Sequence, residues 1–182
     1  PAQVSVIGNW APAGLAPAPA EEVAALRHAW GLDGKFVVAY SGNLGRVHDL
    51  DPVLDVARCL RAQPAIVFLF IGHGAREPHL RRRVLAENLG NVRFQPPQPR
   101  ARLASALGVG DVHLVTLLPS CSALVFPSKL YGIAAVARPI VFIGPKSSGL
   151  ARQIEQRGMG AAFMPTEAAT LAAYLEDLAS HP

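Results

Sequence analysis

The fold of this chain is organised around the stretch Phe126-Pro-Ser-Lys-Leu-Tyr-Gly-Ile-Ala-Ala135. It lies between two apolar runs typical of strands, residues 112–115 and 140–143. Ser128 is typical of a helix N-cap, because its hydroxyl can accept a hydrogen bond from a backbone N–H of the first turn. Lys129 then falls in that turn, where the helix dipole favours negative charge rather than a cation. The sequence therefore predicts either a bound anion beside Lys129 or a helix that begins with these two residues and binds nothing.

Strand and helix patterns alternate on both sides of this stretch. Continuous apolar runs bounded by glycines indicate strands buried on both faces. From residue 36 onward six strands are predicted, at 36–40, 65–71, 92–94, 112–117, 140–143 and 161–163. Strands that alternate with helices form parallel sheets with right-handed crossovers. We therefore predict an α/β fold, a Rossmann-like doubly wound parallel sheet of about six strands in the order 3-2-1-4-5-6.

Helices are predicted between the strands from apolar spacing and from end signals. Asp51 followed by Pro52 is typical of an N-cap with proline at the first helical position. Thr166 is typical of the cap of the last helix, which is expected to run to about residue 178. Other helices are predicted near residues 21–30, 77–87, 150–157 and before 107.

The amino-terminal residues differ in composition from the rest. Residues 4–7 form a short strand-like run, and residues 11–20 contain three prolines that preclude a regular helix. We therefore divide the chain into an inter-domain crossover or linker segment, residues 1–20, and a ligand-binding domain, residues 21–182.

Composition excludes several classes of protein. Of the 182 residues, 51% are hydrophobic and 16% are charged, so a substantial core is expected and global disorder is not. The formal net charge of +4 suits an anionic ligand but is too small to indicate nucleic acid. Two cysteines give no metal or disulfide framework, which favours a reducing compartment, and no apolar run approaches the ~20 residues that span a bilayer. No signal peptide is recognisable, and a chain that begins at Pro1 is expected to be a piece of a longer protein.

The predicted strand order places a ligand site. In doubly wound sheets, ligands bind at the carboxyl ends of the strands, where the strand order reverses. That point lies between the strands at 36–40 and 112–117, so the loops 41–48 and 118–128 are expected to meet.

The loop after the first strand contains Gly42-Asn-Leu-Gly45. Glycines let the backbone approach a ligand closely and offer free N–H groups to an anion. The spacing matches neither the dinucleotide pattern nor the P-loop, which disfavours NAD binding and ATP hydrolysis. Arg46 and His48 follow, either as ligand contacts or as a solvated arginine and a surface histidine.

Further predictions concern three segments and one aspartate. Gly72-His-Gly74 is a second glycine turn that either walls a ligand pocket or simply connects strand to helix, and the proline-rich loop 94–99 could read a nucleobase edge. The arginines 81–83 are expected on a solvated helix face, and Asp111 is expected to be structural, with no evident partner. No catalytic triad, paired carboxylates or metal cluster stands out at a strand end.

From about residue 4 to residue 178, the chain resembles the C-terminal half of the large group 1 family of retaining glycosyltransferases, which have the two-domain GT-B fold. The stretches that carry the resemblance are Ile7-Gly-Asn-Trp10, Tyr40-Ser-Gly-Asn-Leu-Gly45, Phe70-Ile-Gly-His-Gly74, Asn91-Val-Arg-Phe94, Pro127-Ser-Lys-Leu-Tyr-Gly132 and Ala137-Arg-Pro139. The glycine turn and the Pro127–Gly132 stretch look most like the branch that transfers N-acetylfucosamine-type sugars in bacterial surface-polysaccharide assembly.

The resemblance implies three groups of donor-binding residues and no catalytic residue in this part of the protein. The expected diphosphate-binding residues are Gly42, Asn43, Gly45, Arg46, Ser128 and Lys129. The expected base- and ribose-binding residues are Gly72, His73, Phe94, Gln95, Gln98 and Gly132. The expected sugar-binding residues are Ser122, Ala123 and Leu124.

The chain departs from the common family pattern at three places. Asn43 stands where many members have an arginine, and Gly132 stands where many have a ribose-binding glutamate. His48 or Arg46 stands where many have a phosphate-binding lysine. Neutralisation of the diphosphate is therefore expected to fall mainly on Lys129, with Arg46 in support.

The function implied is binding of the donor, a UDP-sugar, by a retaining glycosyltransferase that needs no metal and no cofactor. The acceptor-binding N-terminal domain lies outside this chain, so the chain alone is expected to be inactive. The full-length enzyme is expected in the cytoplasm, at the inner membrane face if its acceptor is lipid-linked, without nucleic acid as a partner. A nucleotide-sugar 2-epimerase of the same architecture and a non-catalytic nucleotide-sugar-binding module are the alternatives.

Overall fold

The computed structural model describes residues 9–122 and 124–181 of the chain. The described residues form six strands: β1 (Phe36–Ser41), β2 (Ile66–Ile71), β3 (Val92–Gln95), β4 (Val112–Thr116), β5 (Ile140–Ile143) and β6 (Gly160–Phe163). Seven α-helices surround them: α1 (Ala20–Ala29), α2 (Asp51–Cys59), α3 (Glu77–Ala86), α4 (Leu103–Gly108), α5 (Lys129–Ala135), α6 (Gly149–Gln156) and α7 (Ala168–Ser180). Short 3-10 helices lie at Arg100–Arg102 and Pro119–Cys121.

The six strands form one sheet in which every neighbouring pair is parallel, in the order β3-β2-β1-β4-β5-β6. This confirms the predicted doubly wound sheet and its strand order. The predicted strand at residues 4–7 lies outside the described residues. Residues 9–19 contain no helix or strand, and none of the helices in the described part of the chain is long and apolar enough to cross a membrane.

Both faces of the sheet are buried, which explains the continuous apolar runs in the sequence. On one face, Tyr40 and Phe70 join a core completed by α2, α3 and α7. On the other face, Val37 and Leu69 pack near the end of α1, and Phe142 packs with α5 and α6. All six residues of β2 are buried, so the centre of the sheet is dry on both sides.

β1 pairs unequally with its two neighbours. Its whole length, from Phe36 to Ser41, is in register with β2. With β4 it pairs only at Val38↔Val112 and Ala39↔His113, the two central residues of β1, and Tyr40 and Ser41 are not paired with β4. The carboxyl ends of β1 and β4 therefore separate, which opens a crevice at the predicted point.

Two helix starts differ from their predictions. Asp51 is the first residue of α2 rather than its N-cap, which is Leu50. Its carboxylate instead accepts hydrogen bonds from the cationic side chains Arg76 and Arg83, and charge-assisted bonds of this kind outweigh a single backbone cap. The N-cap position of α7 is Glu167, one residue beyond the predicted cap.

Two expectations for charged residues are wrong in part: Arg81 and Arg82 are exposed, as expected, but Arg83 is not, and Asp111 does not lack partners. Arg83 is not solvated: its side chain is 19% exposed and forms ion pairs with Asp55 and Glu87. Asp111 is structural, but it has partners, because it accepts hydrogen bonds from Arg27 Nη1 at 3.1 Å and from the Val37 N–H at 2.7 Å. The Arg83–Glu87 pair is local, at positions i and i+4, but the partners Asp55 of Arg83 and Arg27 of Asp111 are distant in sequence, so local patterns do not reveal them.

The loops after β1 and β2 are packed directly against each other at glycines. Gly72 has φ +143°, and a Cβ added to it would overlap the carbonyl oxygen of Gly42. A Cβ added to Gly74, at φ +159°, would press on the carbonyl oxygen of Leu44. The Leu44 N–H donates to the carbonyl oxygen of His73 at 2.9 Å, which ties the two loops together. These glycines therefore position the ends of β1 and β2 whether or not a ligand is present.

The change Gly72→Ala is expected to destabilise the domain by about 2–4 kcal/mol, because it combines a backbone overlap with an unfavourable φ. Gly90→Ala is the matched control, since no atom lies within 4 Å of a Cβ at Gly90 and its φ is not in the left-handed region. Urea unfolding of the two variants measures the difference. Equal stabilities would contradict this account of the loop contact.

Candidate functional site

A cleft of about 670 Å³ lies at the carboxyl ends of β1 and β4, beside a smaller cleft of about 320 Å³. Ser41, Gly42, Asn43 and Leu103 line both, so the two clefts adjoin at the glycine turn. The loops after β1 and β4 meet there, as predicted, since the Leu118 N–H donates to the Val47 carbonyl at 3.0 Å. The site therefore lies where the order of the strands reverses.

Lys129 is the buried cation of this cleft. Its Nζ is shielded from solvent and makes no hydrogen bond with the described residues. It lies 3.6 Å from the centroid of the Tyr40 ring, and a Cβ added to Gly42 would be 3.4 Å from it. Burial lowers the pKa of Lys129 to about 7, from an ordinary value of 10.5. An ammonium group without a carboxylate partner is unfavourable in such a place, and a bound anion would remove that cost.

Tyr40 supports this arrangement from below. Its side chain is 1% exposed, and its hydroxyl donates to the Asn43 carbonyl oxygen at 3.0 Å, which fixes the glycine turn. Burial raises the pKa of Tyr40, so the hydroxyl stays protonated and keeps that hydrogen bond. The aromatic face is thereby presented to Lys129, where it partly compensates for the loss of water around the ammonium group.

His48 lines the larger cleft but is only 9% exposed, so it is not a surface histidine. Its Nδ1 lies 2.8 Å from the Thr116 carbonyl oxygen, at the end of β4. Its ring packs edge-on against Tyr40, with 5.9 Å between centroids. Burial, and secondarily the charge of Lys129, lower the pKa of His48, so the imidazole is neutral at neutral pH.

The expected diphosphate-binding residues fall into two groups. Gly42, Asn43, Ser128 and Lys129 line the larger cleft. Gly45 and Arg46 are not among the described residues that line either cleft: Gly45 is buried within the turn, and Arg46 is exposed.

Ser128 occupies the predicted N-cap position of α5 but makes no capping hydrogen bond. Its backbone has the helical values φ −62° and ψ −20°. A capping side chain needs an extended backbone to reach the first-turn N–H groups, as the capping residue Ser148 of α6 has. The Ser128 hydroxyl is therefore left exposed at the cleft.

The expected base- and ribose-binding residues are also divided. Gly72, His73 and Gln98 line the smaller cleft, and Gly132 lines the larger one. Phe94 and Gln95 line neither. The Phe94 ring stacks on Phe70 at 5.2 Å and lies 4.3 Å from the Arg81 guanidinium carbon, because alternation along β3 places it in the core formed with Phe70 and helices α2 and α3.

Two of the expected sugar-binding residues, Ser122 and Leu124, lie on the loop beside the larger cleft. The Ser122 hydroxyl donates to the Pro119 carbonyl oxygen at 2.8 Å, and Leu124 is 82% exposed. Neither lines the cleft, whereas the next two residues, Val125 and Phe126, do. Ala123 lies outside the described residues.

Sequence reasoning missed one charged lining residue, Arg100, which follows the proline-rich loop and is exposed at the larger cleft. The sequence signal for Arg100 is its position directly after Pro99, at the end of the loop predicted to contact the base. Among the described residues no aspartate or glutamate lines either cleft, so Lys129 and Arg100 give the site a positive character. The described residues contain no group of three or more metal-ligating side chains.

Comparison with curated proteins identifies two relatives. WbjE of Pseudomonas aeruginosa, described as a glycosyltransferase, is 28% identical over 180 residues, which cover 98% of this chain and 44% of WbjE. WcaI of Escherichia coli K12, described as a glycosyl transferase of colanic acid biosynthesis, is 36% identical over 116 residues, covering 63% of this chain and 28% of WcaI. The chain thus spans less than half the length of these relatives.

Solved structures share the fold. HepE of Anabaena, in complex with UDP and glucose, superimposes with a TM-score of 0.78 at 20% identity, covering 95% of this chain and 46% of HepE. WaaG, a glycosyltransferase involved in lipopolysaccharide biosynthesis, gives 0.73 at 14% identity, over 95% of this chain and 46% of WaaG. The C-terminal domain of LpcC from Francisella tularensis gives 0.68 at 15% identity, over 91% of this chain and 85% of that domain.

These likenesses show a Rossmann-like domain that is one half of a GT-B fold. The sequence profile of the family "Glycosyl transferases group 1" matches residues 23–182, most of the chain. The chain therefore belongs to the group 1 glycosyltransferases.

Proposed function

We propose that this chain is the donor-binding half of a glycosyltransferase and that it binds a UDP-sugar in the cleft between β1 and β4. The observation that carries the proposal is the buried, unpartnered Nζ of Lys129 beside the Gly42–Asn43 backbone, in a cleft without a lining carboxylate among the described residues. Support also comes from HepE, which shares the fold and whose structures are in complex with UDP and with UDP-glucose.

In this proposal the diphosphate lies against Gly42 and Asn43, with Lys129 on its oxygens. Breaking the bond between sugar and diphosphate develops negative charge on the leaving group. A cation already fixed in a dry site stabilises that charge without reorganising, which lowers the barrier. The smaller cleft, at Gly72 and Gln98, holds the base.

The rest of the enzyme belongs to the same proposal. Residues 1–20 form the crossover to an N-terminal domain that binds the acceptor, and residues 21–182 form the donor domain. Reaction with retention and without a metal ion is proposed from the resemblance alone. A role in the assembly of a bacterial surface polysaccharide is supported by the description of WcaI, which names colanic acid biosynthesis. A cytoplasmic enzyme at the inner membrane face, acting on a lipid-linked acceptor, rests on the resemblance alone.

The change Lys129→Ala is expected to weaken UDP binding about tenfold to a hundredfold, the scale of a charge-assisted hydrogen bond. Lys146→Ala is the control, because Lys146 is an exposed lysine paired with Glu167 and does not line the cleft. Isothermal titration calorimetry with UDP measures both. An unchanged dissociation constant in Lys129→Ala, with the fold intact, would refute the proposed diphosphate position.

The affinity for UDP-glucose is expected to fall as pH rises above about 7, the pKa of Lys129 in the free protein. An anion binds the ammonium form, so binding raises this pKa and takes up a proton above that pH. The decrease is up to about tenfold for each pH unit, and affinity levels off below pH 7. Calorimetric titrations in buffers of different ionisation enthalpy measure the number of protons taken up on binding. The change Lys129→Met should abolish the pH dependence of the affinity. A profile shared by parent and variant would assign it to another group.

Arg100 and Arg46 provide a matched pair of exposed arginines, of which only Arg100 lines the cleft. We expect Arg100→Ala to weaken UDP binding about two- to fivefold, the scale of an exposed ion pair, and Arg46→Ala to have less effect. Raising the salt concentration should reduce the Arg100 contribution. A larger loss of UDP affinity in Arg46→Ala than in Arg100→Ala would indicate that Arg46 contacts the diphosphate.

A further inference from the structure

The hydrogen bond of His48 fixes which ring nitrogen faces the ligand. A carbonyl oxygen only accepts, so the 2.8 Å contact with the Thr116 carbonyl requires the proton on Nδ1. Nε2 makes no hydrogen bond with the described residues, yet it is not among the atoms sealed from solvent. Because His48 lines the larger cleft, its Nε2 is the ring nitrogen left for a ligand there.

The charge state of His48 determines what it can bind. Burial and the nearby Lys129 lower its pKa, so the ring is neutral and Nε2 carries a lone pair. A phosphate oxygen is also an acceptor, and two acceptors cannot form a hydrogen bond. In its neutral form His48 therefore has no proton on Nε2 to offer to a phosphate oxygen. It is suited to a ligand group that donates a hydrogen.

The position of His48 indicates which part of the donor it meets. If the base occupies the smaller cleft and the diphosphate lies at Gly42–Asn43, the sugar must extend into the larger cleft. His48 lines only the larger cleft, beside Val125 and Phe126 of the loop after β4. The Leu118 N–H bond to the Val47 carbonyl holds His48 next to the start of that loop.

We propose that His48 Nε2 accepts a hydrogen bond from a hydroxyl or amide N–H of the transferred sugar and thereby helps to select the donor. This inference rests on the function proposed above. Discrimination between sugars arises because a sugar without a hydroxyl or N–H at the matching position leaves Nε2 without a hydrogen bond in a largely buried site. His48 is thus a specificity residue at the sugar, whereas Lys129 serves the diphosphate.

Two substitutions separate the two nitrogens of the ring. His48→Asn keeps an amide N–H near the Nδ1 position for the Thr116 carbonyl but removes the acceptor at Nε2. His48→Gln places an amide oxygen near the Nε2 position. Calorimetry on this chain gives the dissociation constants for UDP, UDP-glucose and UDP-N-acetylglucosamine, and melting temperatures show that each variant is folded.

We expect His48→Asn to weaken the better-bound of the two UDP-sugars about five- to twentyfold while changing UDP affinity less than about twofold. His48→Gln should retain most of the affinity for the UDP-sugar. Equal loss for UDP and the UDP-sugar would place His48 at the diphosphate, and no loss for either would make it structural. Both results overturn the inference but leave the proposed function standing, whereas failure of the parent chain to bind UDP or either UDP-sugar overturns both.

A test on the ligand needs no variant and applies even if His48→Asn does not fold. UDP-glucose analogues with fluorine in place of one hydroxyl cannot donate a hydrogen bond from that position. One analogue should bind the parent chain about five- to twentyfold more weakly than UDP-glucose does. Where His48→Asn folds, that variant should not distinguish the analogue from UDP-glucose. If no analogue binds the parent more weakly, His48 does not read a sugar hydroxyl. The sugar amide is then the remaining candidate, and it is tested by comparing UDP-N-acetylglucosamine with UDP-glucose. Equal affinities of the parent chain for these two ligands would show that the amide is not recognised either, and the inference would be overturned.

Discussion

The unequal pairing of β1 is the constraint on which the site depends. β1 follows β2 along its whole length but leaves β4 after two paired positions. The strands are held in a sheet that is buried on both faces, so the gap between the ends of β1 and β4 is fixed by the backbone and not by the conformation of a side chain. It leaves a crevice whose floor is the end of β1 and whose far wall is the loop and helix after β4. The candidate contacts of the diphosphate, Gly42, Asn43, Ser128 and Lys129, all follow one of these two strand ends.

Within that crevice, electrostatics determine what can bind. The Lys129 ammonium is held over the Tyr40 ring with no carboxylate to neutralise it among the described residues. In most proteins a buried cation is paired, and a group that is not paired loses its proton more easily. In the proposed function, a bound anion supplies the missing charge and removes this cost. Burial also lowers the pKa of His48 and keeps its ring neutral, so the two neighbouring basic side chains offer a ligand different hydrogen-bonding groups.

Rigid support surrounds these two residues. Gly72 and Gly74 let the loop after β2 pack against the glycine turn, and the Tyr40 hydroxyl holds that turn from beneath. The His48 ring is fixed by Thr116, which belongs to the strand on the other side of the crevice. The cleft therefore has a preorganised floor. In the proposed function the acceptor site belongs to a separate N-terminal domain, and the curated relatives are more than twice as long as this chain.

The sequence alone determined the sheet, its strand order and the loops that meet at the crevice, because apolar runs and glycine turns are local signals of buried parallel strands. It also identified Lys129 and the Gly42–Asn43 turn. Only the tertiary structure decided that Phe94 and Arg46 stay out of the cleft, that Arg100 enters it, and that Asp51 binds cations of the next helix instead of capping its own. The direction of a side chain depends on register, strand alternation and partners distant in sequence. The state of His48 illustrates this most clearly, since a carbonyl 68 residues away determines which of its nitrogens carries the proton.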